Sequence, residues 1–250
     1  MATAPEPAVD TDAPTPRHRR LLVLGANGPT GRRTVDEALT RGYEVHALTR
    51  HPQTFSLERH PDGHPRLRVV AGDATDEAVV DAAVAGTDAV VCTIGTAFTR
   101  KPVEVYSATA RFLVAAMDRH GKRRLVVVTS GGVDTGHPAP RAVDRLSRSL
   151  MRDHVGRTVY DDMQRMEDVV TASELDWTVV RPPGLVDRDG SGYAVAETRI
   201  DGPLMARGDL AALLLDQLED DRFVRRTAAA TTPGLRVSAL HMLRHEVLKR

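Results

Sequence analysis

The chain has 250 residues, enough for one medium domain with a substantial core, and its 34 Lys and Arg balance its 34 Asp and Glu to a formal charge of +0. That balance argues against an electrostatic grip on nucleic acid or on an anionic membrane, and a single cysteine excludes an internal disulfide. No apolar run approaches the roughly 20 residues of a membrane helix, and the first residues hold no hydrophobic signal core, so a soluble cytoplasmic protein is expected.

Residues 1–18 place Pro5, Pro7, Pro14 and Pro16 among Ala, Thr and acids with no apolar periodicity, which predicts a disordered tail before a single domain over 19–250. Strands and helices then alternate. A strand over 20–24 leads to a helix near 30–41 that ends at Gly42, followed by strands over Glu44–Thr49 and Leu67–Val70. A helix near 76–84 passes through Gly86 into a strand over Asp88–Thr93, and a helix over 102–119 closes at Gly121. The run Arg124–Thr129 holds a continuously apolar stretch, Leu125–Val128, as in a parallel strand buried on both faces. A helix near 157–174 precedes a strand over Trp177–Arg181. The expected fold is therefore α/β, a doubly wound parallel sheet whose ligand sits at the carboxyl ends of the strands. Residues 185–206 read as irregular. Asp209 reads as the N-cap of a helix over 210–219, Thr227–Thr232 as a last strand and 236–248 as an amphipathic helix. Together residues 184–250 are expected to form a small substrate lobe on the same sheet.

The turn Gly25-Ala26-Asn27-Gly28-Pro29-Thr30-Gly31 follows the first strand and opens a helix, the order that a dinucleotide needs. Gly25 permits the tight turn, Gly28 lets backbone approach a pyrophosphate, and Gly31 lets the helix pack closely on the strand. The N–H groups and positive dipole end of that helix then face the phosphates. Arg50 ends the second strand, where an acid would hold the ribose 2′-OH of NAD and a cation accommodates the extra phosphate of NADP. Arg32 and Arg33 are expected to extend this cationic wall. After the third strand, Asp73 and Ala74 are placed to meet adenine, although Asp73 also reads as an ordinary turn or capping residue. Thr93, Ile94 and Gly95 follow the fourth strand, small enough for backbone to pass beside the central ribose.

Gly25–Gly31, Arg50, Gly72-Asp73, Thr129-Ser130 and the run Asp176-Trp177-Thr178-Val179-Val180-Arg181-Pro182-Pro183-Gly184 resemble the atypical short-chain dehydrogenase/reductases. Within them the chain is most similar to the NAD(P)H-binding, NmrA-like group that includes biliverdin IXβ/flavin reductase. The resemblance covers residues 19–232 and implies a Rossmann fold, NADP(H) as cofactor and hydride transfer from its nicotinamide. It also implies that Ser130 lies at the nicotinamide and polarises or positions a substrate carbonyl. Pro182, Pro183, Gly184 and Leu185 then line the far side. The family usually pairs this serine with a Tyr-x-x-x-Lys. Counted back from Asp176-Trp177, the lysine position falls on Met163, a cofactor contact here, and the tyrosine position on Val159. Tyr160 is the neighbouring candidate proton donor, but its i+4 partner is the uncharged Gln164.

Without a dyad, proximity carries the mechanism: orientation supplies about 7–11 kcal/mol, more than one acid/base group gives. The expected function is NADPH-dependent reduction of a small aromatic or conjugated carbonyl or quinone-like acceptor, a natural-product ketone among them. The rivals are an NADP-sensing binding protein without turnover and a redox-neutral isomerase or cyclase. Substrate is expected to enter between a basic excursion over 134–156 and the 185–206 loop, where Tyr193 and Met205 read either as apolar walls or as core residues. Cys92 reads as a buried core thiol. His51, His60, His64, His137 and His154 read as loop residues without metal-ligand spacing. No metal, nucleic-acid or membrane partner is expected, and the chain is expected to be a monomer or homodimer.

Overall fold

The structure is a computed structural model that describes residues 17, 19–133 and 156–235. The expected tail (Arg17 apart), most of the 134–156 excursion and the amphipathic helix over 236–248 lie outside the described residues. In chain order the elements are β1 (Arg20–Leu24), α1 (Pro29–Thr40), β2 (Glu44–Thr49), β3 (Leu67–Ala71), α2 (Glu77–Ala85), β4 (Ala89–Cys92), α3 (Val105–Arg119) and β5 (Arg124–Val128). There follow α4 (Arg157–Thr171), β6 (Asp176–Arg181), β7 (Gly184–Val186), β8 (Ala194–Ala196), β9 (Leu204–Ala206), α5 (Arg207–Glu219) and β10 (Arg226–Thr231).

The main sheet runs β3-β2-β1-β4-β5-β6-β10-β8, parallel throughout except for β8, which pairs antiparallel with β10. β7 and β9 form a separate parallel pair. Strand periodicity explains the double layer of helices. Leu21 and Val23 of β1 face a core shared with Val35, Leu39, Leu213 and Leu214, so α1 and α5 cover that face. Leu22 and Leu24 face the opposite core with Val80, Leu113, Met117 and Met166, so α2, α3 and α4 cover the other. A central strand apolar from Leu21 to Leu24 is the consequence.

Helix starts follow from chemistry near the chain or far along it. Pro29 sits in the first turn of α1 with its φ already suited to a helix. Asp76 caps α2 by accepting from the N–H groups of Ala78 and Val79. The first turn of α3 is satisfied from another element, because buried Asp162 of α4 accepts from the Tyr106 N–H at 2.8 Å. At the amino ends of the strands, buried Arg124 donates to the carbonyls of Gln217 and Asp176 and to the Thr178 hydroxyl, joining β5, β6 and α5.

The last third departs from the expectation. Residues 185–206 contain β8 and β9 and most of β7. These strands are three residues each, too short for a periodicity to register. Asp209 is not an N-cap: α5 starts at Arg207, with Ala206 as its N-cap. The Asp209 carboxylate is buried and accepts from the N–H groups of Ser191 and Gly192, each at 2.8 Å, and from the Thr232 hydroxyl at 2.6 Å. It clips the segment before β8 to the end of β10. Among the described residues, no helix is long and apolar enough to cross a membrane.

Asp209→Ala leaves two N–H groups and a hydroxyl without their acceptor. It is expected to lower unfolding stability by about 3 kcal/mol, measured by urea titration, with the midpoint falling at unchanged slope.

Candidate functional site

The cleft lies where the sheet order reverses, between β1 and β4. Gly25, at φ +73°, turns the chain out of β1 so closely past the β4 end that a Cβ would lie 2.8 Å from the Thr93 carbonyl oxygen and 2.9 Å from the Ile94 nitrogen. Thr93 seals the approach, its N–H and hydroxyl both donating to the Leu24 carbonyl. A Cβ on Gly31 would collide with the Gly25 carbonyl, and one on Gly28 would come within 3.2 Å of it. α1 has no side-chain cap, so its first-turn N–H groups open onto this cradle. A cradle that a Cβ would fill, against an uncapped helix start, fits a diphosphate.

The other strand ends complete the rim. Arg50 is exposed at the end of β2, and its guanidinium approaches Asp73 at 3.9 Å. Asp73 acts mainly as a turn residue, one oxygen accepting from the Thr75 N–H and hydroxyl, and the N–H bond leads the effects that hold its carboxyl below the usual range. The Ala74 carbonyl accepts from the Thr109 hydroxyl. Asn27 is held by Thr54 at 3.0 Å and by Arg32, which also reaches the Thr54 carbonyl. Arg32 is thereby spent on bracing the turn. Arg33 is paired with Asp187 at 3.0 Å and Asp189 at 2.7 Å. The expected cationic wall therefore reduces to Arg50. On the flank of the turn lies a groove of about 500 Å³ lined by Asn27, Pro29, Arg32, Arg33, Asp36 and Leu57 among others.

At the ends of β5 and β6, the Thr129 N–H donates to the Val180 carbonyl and the Gly131 N–H to the Pro182 carbonyl at 2.8 Å. Ser130 and Pro182 therefore share one stretch of rim. The Ser130 hydroxyl accepts from the Gly132 N–H at 3.2 Å, which orients its oxygen and leaves its proton to donate. Pro183 and Leu185 are half-buried and Gly184 is exposed.

α4 settles the position of Tyr160. At about 100° per residue, Tyr160 and Glu167 fall within about 20° of each other, whereas Val159 is turned about 100° away. Val159 is buried in the core beneath α3 and Met163 packs against that core. The Tyr160 ring lies against Gly132, next to the Ser130 turn. Gln164 turns to Asp168 at 2.9 Å and supplies no charge.

Glu167 is a site residue that the sequence did not single out. Its buried carboxylate accepts from the Thr129 hydroxyl at 2.6 Å and pairs with the Arg181 guanidinium, tying α4 to the ends of both strands that carry the rim. Nothing local marks it, since Thr129, Glu167 and Arg181 meet only through the fold.

Other expectations resolve simply. Met205 is fully buried, and the Tyr193 hydroxyl bonds Asp216 of α5, so neither is an open wall of the cleft. Cys92 is fully buried and its thiol is pushed up to about 12 by burial, as expected of an inert core residue. His60 and His64 touch each other edge to face.

Removing Glu167 takes away the acceptor of the Thr129 hydroxyl and an ion-pair partner of the mostly buried Arg181 guanidinium. Glu167→Ala is expected to cost about 3 kcal/mol and Thr129→Val about 1 kcal/mol. The double variant should lose less than the sum, because both act through one carboxylate; urea unfolding of the four proteins in the cycle measures the coupling.

Comparison with known proteins agrees with this geometry. An NAD(P)H-binding family model matches residues 25–221. An uncharacterized chloroplastic protein of Arabidopsis thaliana is 30% identical over 72% of this chain, which spans 64% of that relative's length. The oxidoreductase stcQ of Emericella nidulans is 26% identical, over 86% of this chain and 83% of its own. A short-chain dehydrogenase/reductase of Veillonella parvula, solved in complex with NADP, superposes with a TM-score of 0.73 at 17% identity, covering 87% of this chain and 96% of that one. From the cradle at the split of the sheet and a match that spans most of its length, the chain belongs to the NAD(P)H-binding family and has a Rossmann fold.

Proposed function

We propose that the protein is an NADPH-dependent reductase of a small aromatic or conjugated carbonyl or quinone-like acceptor. The observation that carries this reading is the meeting of the Gly25–Gly31 cradle, Arg50 and Ser130 on one rim of the sheet. The N–H groups at the start of α1 would hold the diphosphate, and Arg50 would bind the adenosine 2′-phosphate that distinguishes NADPH from NADH. When bound, the nicotinamide supplies hydride. Ser130 supplies a hydroxyl whose oxygen is already fixed by the Gly132 N–H, so its proton can be aimed at an acceptor oxygen. Tyr160, on the same side of α4 as Glu167, is the second proton source.

Met163 stands where the related reductases carry lysine, and it is partly buried against the core. The chain therefore carries no cation at the position from which the related reductases activate a tyrosine. Acceptors whose reduced anion is delocalised suit such a site, because orientation then does most of the work. The same observation favours a second reading, a protein that binds NADP and senses it without turnover.

Nicotinamide absorbance, followed while quinones, flavins and aromatic ketones are added, separates the two. Acceptor-dependent oxidation of NADPH is expected, with Ser130→Ala lowering kcat and leaving the KM for NADPH unchanged. Arg50→Ala should raise the KM for NADPH about tenfold and leave that for NADH unchanged, since it removes about 1.4 kcal/mol of phosphate contact. Tight NADPH binding with no oxidation across the panel would establish the sensor.

A further inference from the structure

The loop that leaves β4 carries Phe98 with 45% of its surface exposed. Among the described residues only one other large apolar side chain is comparably open, Val69 on the edge strand β3. Phe98 is not a stray surface residue. Its ring centroid lies 5.9 Å from that of Tyr160 at a 43° tilt, within the range of a favourable aromatic pair.

Two glycines make room for this pair. A Cβ on Gly132 would stand 2.6 Å from Tyr160 Cε1 and 3.2 Å from its hydroxyl. A Cβ on Gly156 would stand 2.7 Å from Tyr160 Cε2 and 2.8 Å from Phe98 Cε1. The loop itself is pinned: the Thr96 N–H donates to the Tyr106 hydroxyl at 3.2 Å, and the Thr158 hydroxyl donates to the Thr99 carbonyl at 2.6 Å. The rings are thus held before any ligand arrives, and Gly132, which seats Tyr160, is the residue whose N–H fixes the Ser130 hydroxyl. One turn positions both the polar group and the apolar surface beside it.

We infer that Phe98 and Tyr160 form the platform on which the flat face of a fused-ring aromatic or quinonoid acceptor rests, so that this site selects planar conjugated substrates over aliphatic carbonyls of similar size. A pre-positioned ring gains stacking and area burial with little ordering cost, an advantage of about tenfold or more in affinity for a planar ligand. The inference rests on the reductase reading of the same cleft, yet it concerns binding and is tested without turnover.

The experiment measures riboflavin fluorescence quenching and naphthoquinone binding by calorimetry on the full chain saturated with NADP⁺, with NADP⁺ affinity measured separately. For Phe98→Ala, both planar probes should weaken about tenfold while NADP⁺ binds unchanged; Phe98→Trp, which keeps a flat ring, should retain them within about twofold. Equal probe affinity in Phe98→Ala and the parent, or no saturable binding of either probe to the parent, overturns the platform. If the probes bind as expected but NADPH is never oxidised, the platform stands and the reductase reading falls.

Discussion

The site depends on one close approach of two backbones. At the split between β1 and β4 the chain leaving β1 passes the Thr93-Ile94 peptide at a separation that a Cβ would violate, and α1 starts against the same turn. Hydrogen bonds from Thr93 to the Leu24 carbonyl hold the two strand ends in that register. Because the gap opens where crossovers diverge to opposite faces, it becomes a crevice with helix N–H groups at its mouth. Arg50, Asp73 and Ser130 acquire meaning only because they stand on the rim of that crevice.

The second half of the rim is organised electrostatically. Glu167 reaches from α4 to Thr129 and Arg181, so the helix, the Ser130 turn and the Pro182 turn move as one body. A buried pair of this kind contributes little net stability compared with apolar packing but is costly to break, which makes it suited to fixing geometry. In the same helix Asp162 caps α3 and Thr158 holds the loop that carries Phe98. α4 is therefore the element that aligns the Ser130 and Pro182 half of the rim, while α1 opens the cradle half.

The elements from β1 to β6 were legible in the sequence because each is long enough to show a period or a buried apolar run, and because glycines punctuate them. β7, β8 and β9 were not, each being three residues long and stabilised by pairing with distant strands. Asp209 was misread for a related reason: an acid near a helix start resembles a cap, and only the fold brings Ser191, Gly192 and Thr232 to its oxygens. Counting residues back from Asp176-Trp177 reached Val159, yet helical phase sets Tyr160, not Val159, against Gly132 beside the Ser130 turn, since one residue is about 100° of rotation.

The sequence by itself determined the α/β order, the nucleotide turn and the strand-end residues, because glycine spacing, apolar runs and residue type act locally along the chain. Only the tertiary structure decided which charges are paired, which α4 residue packs against the Ser130 turn and what holds Ser130 in place. Arg33 and Arg50 look alike in sequence, but Arg33 is bound at 3.0 and 2.7 Å by Asp187 and Asp189 from a segment more than 150 residues away, whereas Arg50 approaches Asp73 only at 3.9 Å. The reason is physical: a side chain's charge, burial and direction are set by neighbours in space, and those neighbours exist only once the sheet has formed.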